Sequence, residues 1–322
     1  MNQLEFYVTQ IEEQLKQNDF PIEPRNLYDP LRYFLNLGGK RIRPVLTLLG
    51  AELFEQDVIQ AMPAAMAIEY FHNFSLIHDD IMDQAPLRRA KATIHTKWDA
   101  NIAILSGDVL LVKAYQQLCK QNSKHLEDLL QVFNRTAIEV CEGQQMDMDF
   151  EQRNHITQQE YIEMIRLKTS VLLGCALEFG AIISNASLLD RARIYSFGMN
   201  LGIAFQIQDD LLDLYADSEK FGKQVGGDVI SNKKTILLLK ALELANETQK
   251  EAIYHAIGQK DPIAKVKAVT SQFDELGVKQ AVLELRDYYF ELGIKALQDI
   301  EIKESNKKNL FALIDFLKQR EV

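Results

Sequence analysis

The chain has 322 residues, 47% of them hydrophobic, with 15 Gly, 7 Pro and a formal net charge of −10. This length buries a sizeable core, and few Gly and Pro beside abundant Ala, Leu, Ile, Glu, Gln and Lys favour helices over strands. The acidic balance argues against a nucleic-acid partner, which would require a positive footprint to displace counterions, yet it allows a small anionic substrate held by local cations.

The first residues, Met1-Asn2-Gln3-Leu4-Glu5, lack the basic-then-apolar order of a signal peptide, and no uncharged apolar run is long enough to span a bilayer. Cys119, Cys141 and Cys175 are far apart with no Cys-x-x-Cys pair, so they read as reduced structural thiols. A cytoplasmic protein is expected. The first punctuation is Tyr28-Asp29-Pro30, and the next is Asn36-Leu37-Gly38-Gly39-Lys40-Arg41-Ile42-Arg43-Pro44, where the double glycine ends one helix and Pro44 suits the first turn of another. Segments 44–54 and 61–81 read as long apolar helices, the second carrying few charges until an acidic cluster. A helix apolar on most sides lies centrally in a bundle.

A polar loop containing Pro86 is predicted over 84–95, then helical periodicity over 98–119, 126–145, 158–183 and 188–215. A second loop, 216–232, carries glycines and charges, and 235–322 reads as amphipathic helix broken near 258–262 and near Gly277. No linker, solenoid repeat or low-complexity tract interrupts the pattern. The expectation is one all-α domain over 1–322, a single large helical bundle around a central cavity.

Two acidic motifs carry the chemistry. Asp79-Asp80-Ile81-Met82-Asp83 is followed by Arg88-Arg89, and Asp209-Asp210-Leu211-Leu212-Asp213 by Lys223 and Lys233-Lys234. Residues four apart share a helix face, so Asp79 aligns with Asp83 and Asp209 with Asp213. Clustered carboxylates repel one another unless hard divalent cations balance them, and the trailing basic residues point to an anion bridged by such metals. A diphosphate fits best. His72, seven residues before Asp79, and Gln206, three before Asp209, extend the two acidic stripes. One such acid cluster alone is usually solvated surface charge; two copies, each embedded in apolar helix and trailed by cations, favour a site.

Together, Gly38-Gly39-Lys40-Arg41-Ile42-Arg43-Pro44, His72, both acid motifs, Arg88-Arg89, Lys168-Thr169, Phe205-Gln206 and Gly222-Lys223 closely resemble the trans-isoprenyl diphosphate synthase family. The resemblance runs from about Gly38 to Thr235, with the motifs in the family's order. It implies an all-helical prenyltransferase, usually a homodimer, that uses Mg²⁺ to condense isopentenyl diphosphate with an allylic diphosphate such as the dimethylallyl, geranyl or farnesyl compound.

By that resemblance, Asp79, Asp80, Asp83, Asp209, Asp210 and Asp213 hold metal, and Arg88, Lys168, Lys223 and Lys233 grip the allylic diphosphate. Gly39, Lys40, Arg43, His72 and Arg89 take isopentenyl diphosphate, with Arg41 either functional or structural. Thr169 and Gln206 steady the carbocation, Lys168 sits with them, and Gln144 and Asp147 lie beside the site. The family's chain-length positions fall on Phe74 and Ser75; a one-aromatic floor at Phe74 implies a C20 product, geranylgeranyl diphosphate, with C15 next. Two departures stand out: Ala90 replaces the usual glycine after Arg88-Arg89, and Ser231-Asn232-Lys233-Lys234-Thr235 leaves Lys233 and Lys234 as rival ligands, with alignment favouring Lys233.

The competing readings are a longer-chain polyprenyl synthase, a class I terpene cyclase and a noncatalytic subunit of a heteromeric synthase. A cyclase has no use for Lys40 and Arg43 and mixes Asn, Ser and Glu in its second metal motif, and a noncatalytic subunit usually loses acids from one cluster. A scaffold that binds metal without catalysis has no reason for the paired Arg and Lys sets.

Overall fold

The computed structural model describes residues 3–17, 19–216 and 225–318, and the described chain is helical apart from one two-stranded hairpin. An all-α fold is what is found. The residues group into two compact units, one formed by 1–135, 175–195 and 300–309, the other by 136–174, 196–299 and 310–322. No described helix is long and apolar enough to cross a membrane.

In the first unit, the Val58–Met82 helix packs against Ile42–Leu53 and Ala100–Leu118. Asp57 starts it by accepting a hydrogen bond from the Ile59 amide at 3.0 Å, which satisfies one orphan donor of the first turn. Alanines at 61, 64, 65 and 67 are fully buried along it and let neighbours approach, while Phe71, Phe133 and Phe179 join in an aromatic core. Each such buried aromatic contributes about 1.5–3 kcal/mol relative to exposure.

Pro30 does not interrupt the chain as expected: it lies inside the Arg25–Leu35 helix. Proline there forfeits a backbone hydrogen bond, but the face bearing Pro30, Leu31, Phe34 and Leu35 is buried, and that burial outweighs the lost bond. The predicted 84–95 loop contains a small hairpin, Leu87–Arg88 paired antiparallel with Lys91–Ala92. Its turn places Arg89 (φ 51°) and Ala90 (φ 60°) in the left-handed region.

In the second unit, the predicted 158–183 helix is broken after Gln158–Ile165 by a π-helical turn, Arg166–Ser170; Val171–Ile183 follows, its residues from 175 onward belonging to the first unit. The core of the second unit joins Tyr161, Met164 and Ile165 to Ile203, Ile207 and Leu211 and to Ile236, Val269, Phe273 and Val282. A short helix, Gly227–Ile230, lies within the predicted 216–232 loop.

Candidate active site

The first unit carries two adjoining groups of charge. In one, Gly38 (φ 77°) and Gly39 turn the chain into Ile42–Leu53. A β-carbon on Gly39 would sit 2.9 Å from the Arg89 guanidinium, which donates to the Gly38 carbonyl, so glycine makes room for that arginine. Arg43 Nη1 lies 3.1 Å from His72 Nε2. Burial, reinforced by Arg43, Arg89, Arg88 and Arg41, holds the His72 imidazole well below its usual range. A neutral ring therefore accepts from Arg43 at Nε2 and keeps its proton at Nδ1. Lys40 is exposed at the rim of this turn.

In the other group, Asp79 and Asp80 close the Val58–Met82 helix and Asp83 caps it, its amide bonded to the Asp79 carbonyl at 2.9 Å. Arg88 forks onto Asp80, with Nε at 2.8 and 2.9 Å from the two carboxylate oxygens and Nη2 at 2.7 Å, and also reaches Asp79 at 3.4 Å. Asp80 is buried, Asp79 half-buried and Asp83 exposed. Burial raises the Asp80 carboxyl above its ordinary range, against the pull of Arg88.

The second unit repeats the division. Asp210 is buried, whereas Asp209 and Asp213 are half-buried. Tyr161 donates its hydroxyl proton to Asp210, Gln206 Nε2 donates at 3.2 Å and the Ile236 amide at 3.3 Å. Burial pushes the Asp210 carboxyl up to about 7, despite the Tyr161 bond and the nearby charge of Lys233. Asp213 Oδ2 accepts from the Asp228 amide at 3.0 Å and anchors the short Gly227–Ile230 helix.

Lys168 and Thr169 sit in the π-helical turn, a distortion frequent where helices serve a site. A β-carbon on Gly143 would lie 2.2 Å from the Lys168 backbone nitrogen, so glycine allows Ser123–Gln152 to pass that turn at backbone distance. Lys168 Nζ then meets Asp147 at 2.6 Å, and Thr169 Oγ1 donates to Gln206 Oε1 at 3.3 Å. Lys234 donates to the carbonyls of Phe150 and Glu151 at 2.8 and 3.4 Å, which occupies it with closing the end of Ser123–Gln152, whereas exposed Lys233 acts through its charge on Asp210. Lys223 lies outside the described residues.

Phe74 packs its ring 5.6 Å from Phe71 and 4.7 Å from the His78 ring, and Ser75 Oγ turns back to the His72 carbonyl at 2.8 Å. Three residues escaped the sequence reading. Tyr161 is seven residues before Lys168, a helical-face spacing that offered a signal. Buried Lys265, bonded to the Ile230 carbonyl at 3.2 Å and Asn232 Oδ1 at 2.6 Å, anchors the turn before Lys233 and had none. Glu69 is the third; it takes Arg41, whose role the sequence left open, into a buried ion pair.

Among the described residues, no three His, Cys, Asp or Glu side chains form a closed metal cluster. Half-buried carboxylates beside guanidinium groups instead suit a hard cation that keeps waters and shares an anionic ligand, rather than one enclosed by protein.

Residues 24–273 match the polyprenyl synthetase family model. The chain belongs to the polyprenyl synthetase family. It is 36% identical to the short chain isoprenyl diphosphate synthase of Methanothermobacter thermautotrophicus, over 100% of this chain and 98% of that protein. It is 38% identical to the geranylgeranyl pyrophosphate synthase of Geoglobus acetivorans, over 97% and 95%. A crystal structure of a geranylgeranyl pyrophosphate synthase superposes with a TM-score of 0.95 at 43% identity, covering 100% of both chains. This polyprenyl synthetase is a trans-isoprenyl diphosphate synthase, a prenyltransferase of the short-chain type.

Proposed function

We propose that this enzyme joins isopentenyl diphosphate head to tail, 1′–4, to an allylic diphosphate, releases diphosphate, and makes geranylgeranyl diphosphate (C20) as its main product. The observation that carries this reading is the pairing in one unit of two differently equipped anion sites. Arg43 meets neutral His72 beside the Gly38–Gly39 turn, onto whose carbonyl Arg89 folds, and next to this cationic group Arg88 bridges Asp79 and Asp80. A diphosphate held by protein cations fits the first, and a metal-borne diphosphate fits the second. A terpene cyclase would have no use for the first.

Asp79, Asp83, Asp209 and Asp213 are the proposed holders of Mg²⁺, with Asp80 and Asp210 supporting them from buried positions. When bound, Mg²⁺ neutralises charge on the diphosphate that leaves as the allylic C–O bond ionises. Arg88, Lys168, Lys223 and Lys233 grip that diphosphate; Lys40, Arg43, His72 and Arg89 orient isopentenyl diphosphate, for which planar Arg forks suit two phosphate oxygens at once. Thr169 and Gln206 present oxygens to the cation. The proton lost after C–C bond formation passes to the released diphosphate, so no protein base is required.

Phe74, backed by Phe71 and His78, is the proposed floor that stops the growing chain. The protein is proposed to act as a cytoplasmic homodimer, in keeping with cysteines that are not paired in disulfides at Cys119 and Cys141 and with exposed Ile104, Leu105 and Val112 on Ala100–Leu118.

Incubation with Mg²⁺, labelled isopentenyl diphosphate and, separately, dimethylallyl, geranyl and farnesyl diphosphates should yield a discrete C20 product on chain-length analysis. Products of C25 or longer would keep the chemistry and remove Phe74 as the floor. Folded, Mg²⁺-supplied protein that incorporates no isopentenyl unit from any primer would overturn the reading.

A further inference from the structure

Arg41 lies between Lys40 and Arg43 in sequence, yet its side chain turns inward rather than toward the cationic site. It is 3% exposed, with Nη1 at 2.6 Å from buried Glu69, Nε at 2.7 Å from Glu12 and Nη2 at 2.9 Å from the Leu35 carbonyl. Glu69 is held in turn by Asn73 Nδ2 at 2.8 Å. Arg41 is also the residue before Ile42–Leu53, in left-handed backbone conformation (φ 49°, ψ 28°) that a non-glycine residue adopts only when its surroundings enforce it.

Two rungs thus connect the start of Ile42–Leu53 to Val58–Met82: Arg41 to Glu69, and Arg43 to His72. The first is buried and fully engaged with protein. The second joins two residues proposed to take isopentenyl diphosphate. Because the rungs leave the same helix start two residues apart and land three residues apart, the buried one sets the register of the other. Glu12 extends the clamp to the Gln3–Lys16 helix.

We infer that Arg41, Glu69 and Glu12 are positioning residues that fix Arg43 and Lys40 for isopentenyl diphosphate, so the N-terminal helix helps set affinity for that substrate. This rests on the proposed reading of Arg43 and His72. A neutral amide at Glu69 or Glu12 relaxes the clamp without adding bulk.

The test compares wild type, Glu69→Gln and the milder Glu12→Gln, whose carboxylate is 29% exposed. Steady-state kinetics with each substrate varied, calorimetric titration of isopentenyl diphosphate alone and thermal midpoints are measured. The expected result is a rise of about tenfold in KM and Kd for isopentenyl diphosphate with Glu69→Gln, equivalent to about 1.4 kcal/mol. A smaller rise in the same direction is expected with Glu12→Gln, and a Glu12→Asp variant should restore most of it. The allylic KM, and kcat at saturation, should stay within about twofold. If both Gln variants leave isopentenyl diphosphate affinity unchanged, or shift both KM values and kcat in step with a falling thermal midpoint, the clamp serves folding alone and the inference fails. If wild type itself neither binds nor incorporates isopentenyl diphosphate, the underlying reading fails and takes the inference with it.

Discussion

The middle aspartate of each acid motif lives in a different world from the outer two. A helix advances 100° per residue, so Asp80 and Asp210 turn away from the stripes that Asp79, Asp83, Asp209 and Asp213 define, and both are buried. Arg88 holds one, Tyr161 the other. Replacing an outer acid should therefore remove a metal ligand and leave the fold. Asp79→Ala and Asp209→Ala are each expected to lower kcat by about 100- to 1,000-fold with unchanged helical circular dichroism. Near-normal turnover in either would mean that it holds no catalytic metal. Ala90, where glycine is usual in the resembling family, has φ 60° and carries a β-carbon in left-handed backbone. Ala90→Gly should raise stability by about 1 kcal/mol, seen as a higher urea midpoint at constant slope. The acid stripes were legible because a helix face is a local, periodic property. The partners of the buried acids were harder to see: Arg88 is eight residues from Asp80, but Tyr161 is forty-nine from Asp210, and no local pattern encodes a pairing made by tertiary packing.

At the scale of the element, the segment around Lys168 shows where pattern reading stops. Periodicity across 158–183 is helical on both sides of the π turn, so the sequence predicts one helix, and the extra residue in the turn arises where Gly143 admits a neighbouring backbone. Gly143→Ala should force those backbones apart, costing about 1–3 kcal/mol in a urea titration and raising the KM for the allylic substrate through displaced Lys168. An unchanged midpoint and KM would show that the contact yields freely. The same segment is started by a capping box: Thr157 Oγ1 accepts from the Glu160 amide at 3.1 Å, and Glu160 accepts from the Thr157 amide at 2.8 Å. These bonds, the Thr157 backbone first and then Arg153, lower the Glu160 carboxyl from 4.5 to about 2. A depressed acid stabilises the fold above its unfolded pKa and loses that contribution as pH falls through its folded one. Glu160→Gln keeps a capping amide but not the charge. Wild type should thus have the higher thermal midpoint near about pH 5, and the gap should narrow towards about pH 3. A gap independent of pH would assign the effect to shape rather than charge.

For the whole molecule, composition already indicated a helical protein, while the association of copies is the property that a single chain's periodicity conceals. An apolar residue in a helical stripe reads the same whether it meets its own core or a second copy. Ala100–Leu118 shows both cases: Ala103, Leu110 and Ala114 are fully buried, whereas Ile104, Leu105 and Val112 are 42%, 58% and 57% exposed. Leu105 and Val112 are seven residues apart and Ile104 and Val112 eight, so the three share one face over two turns. Clustered large apolar side chains on a surface mark an association site more often than scattered ones do. If this face joins the proposed homodimer, the double variant Leu105→Glu/Val112→Glu should sediment as a monomer where wild type sediments as a dimer, with the helical signal intact, because two carboxylates per copy would be desolvated against their symmetry mates. A dimer that survives both substitutions would place the interface elsewhere, and a wild type that is monomeric at micromolar concentration would remove the homodimer itself.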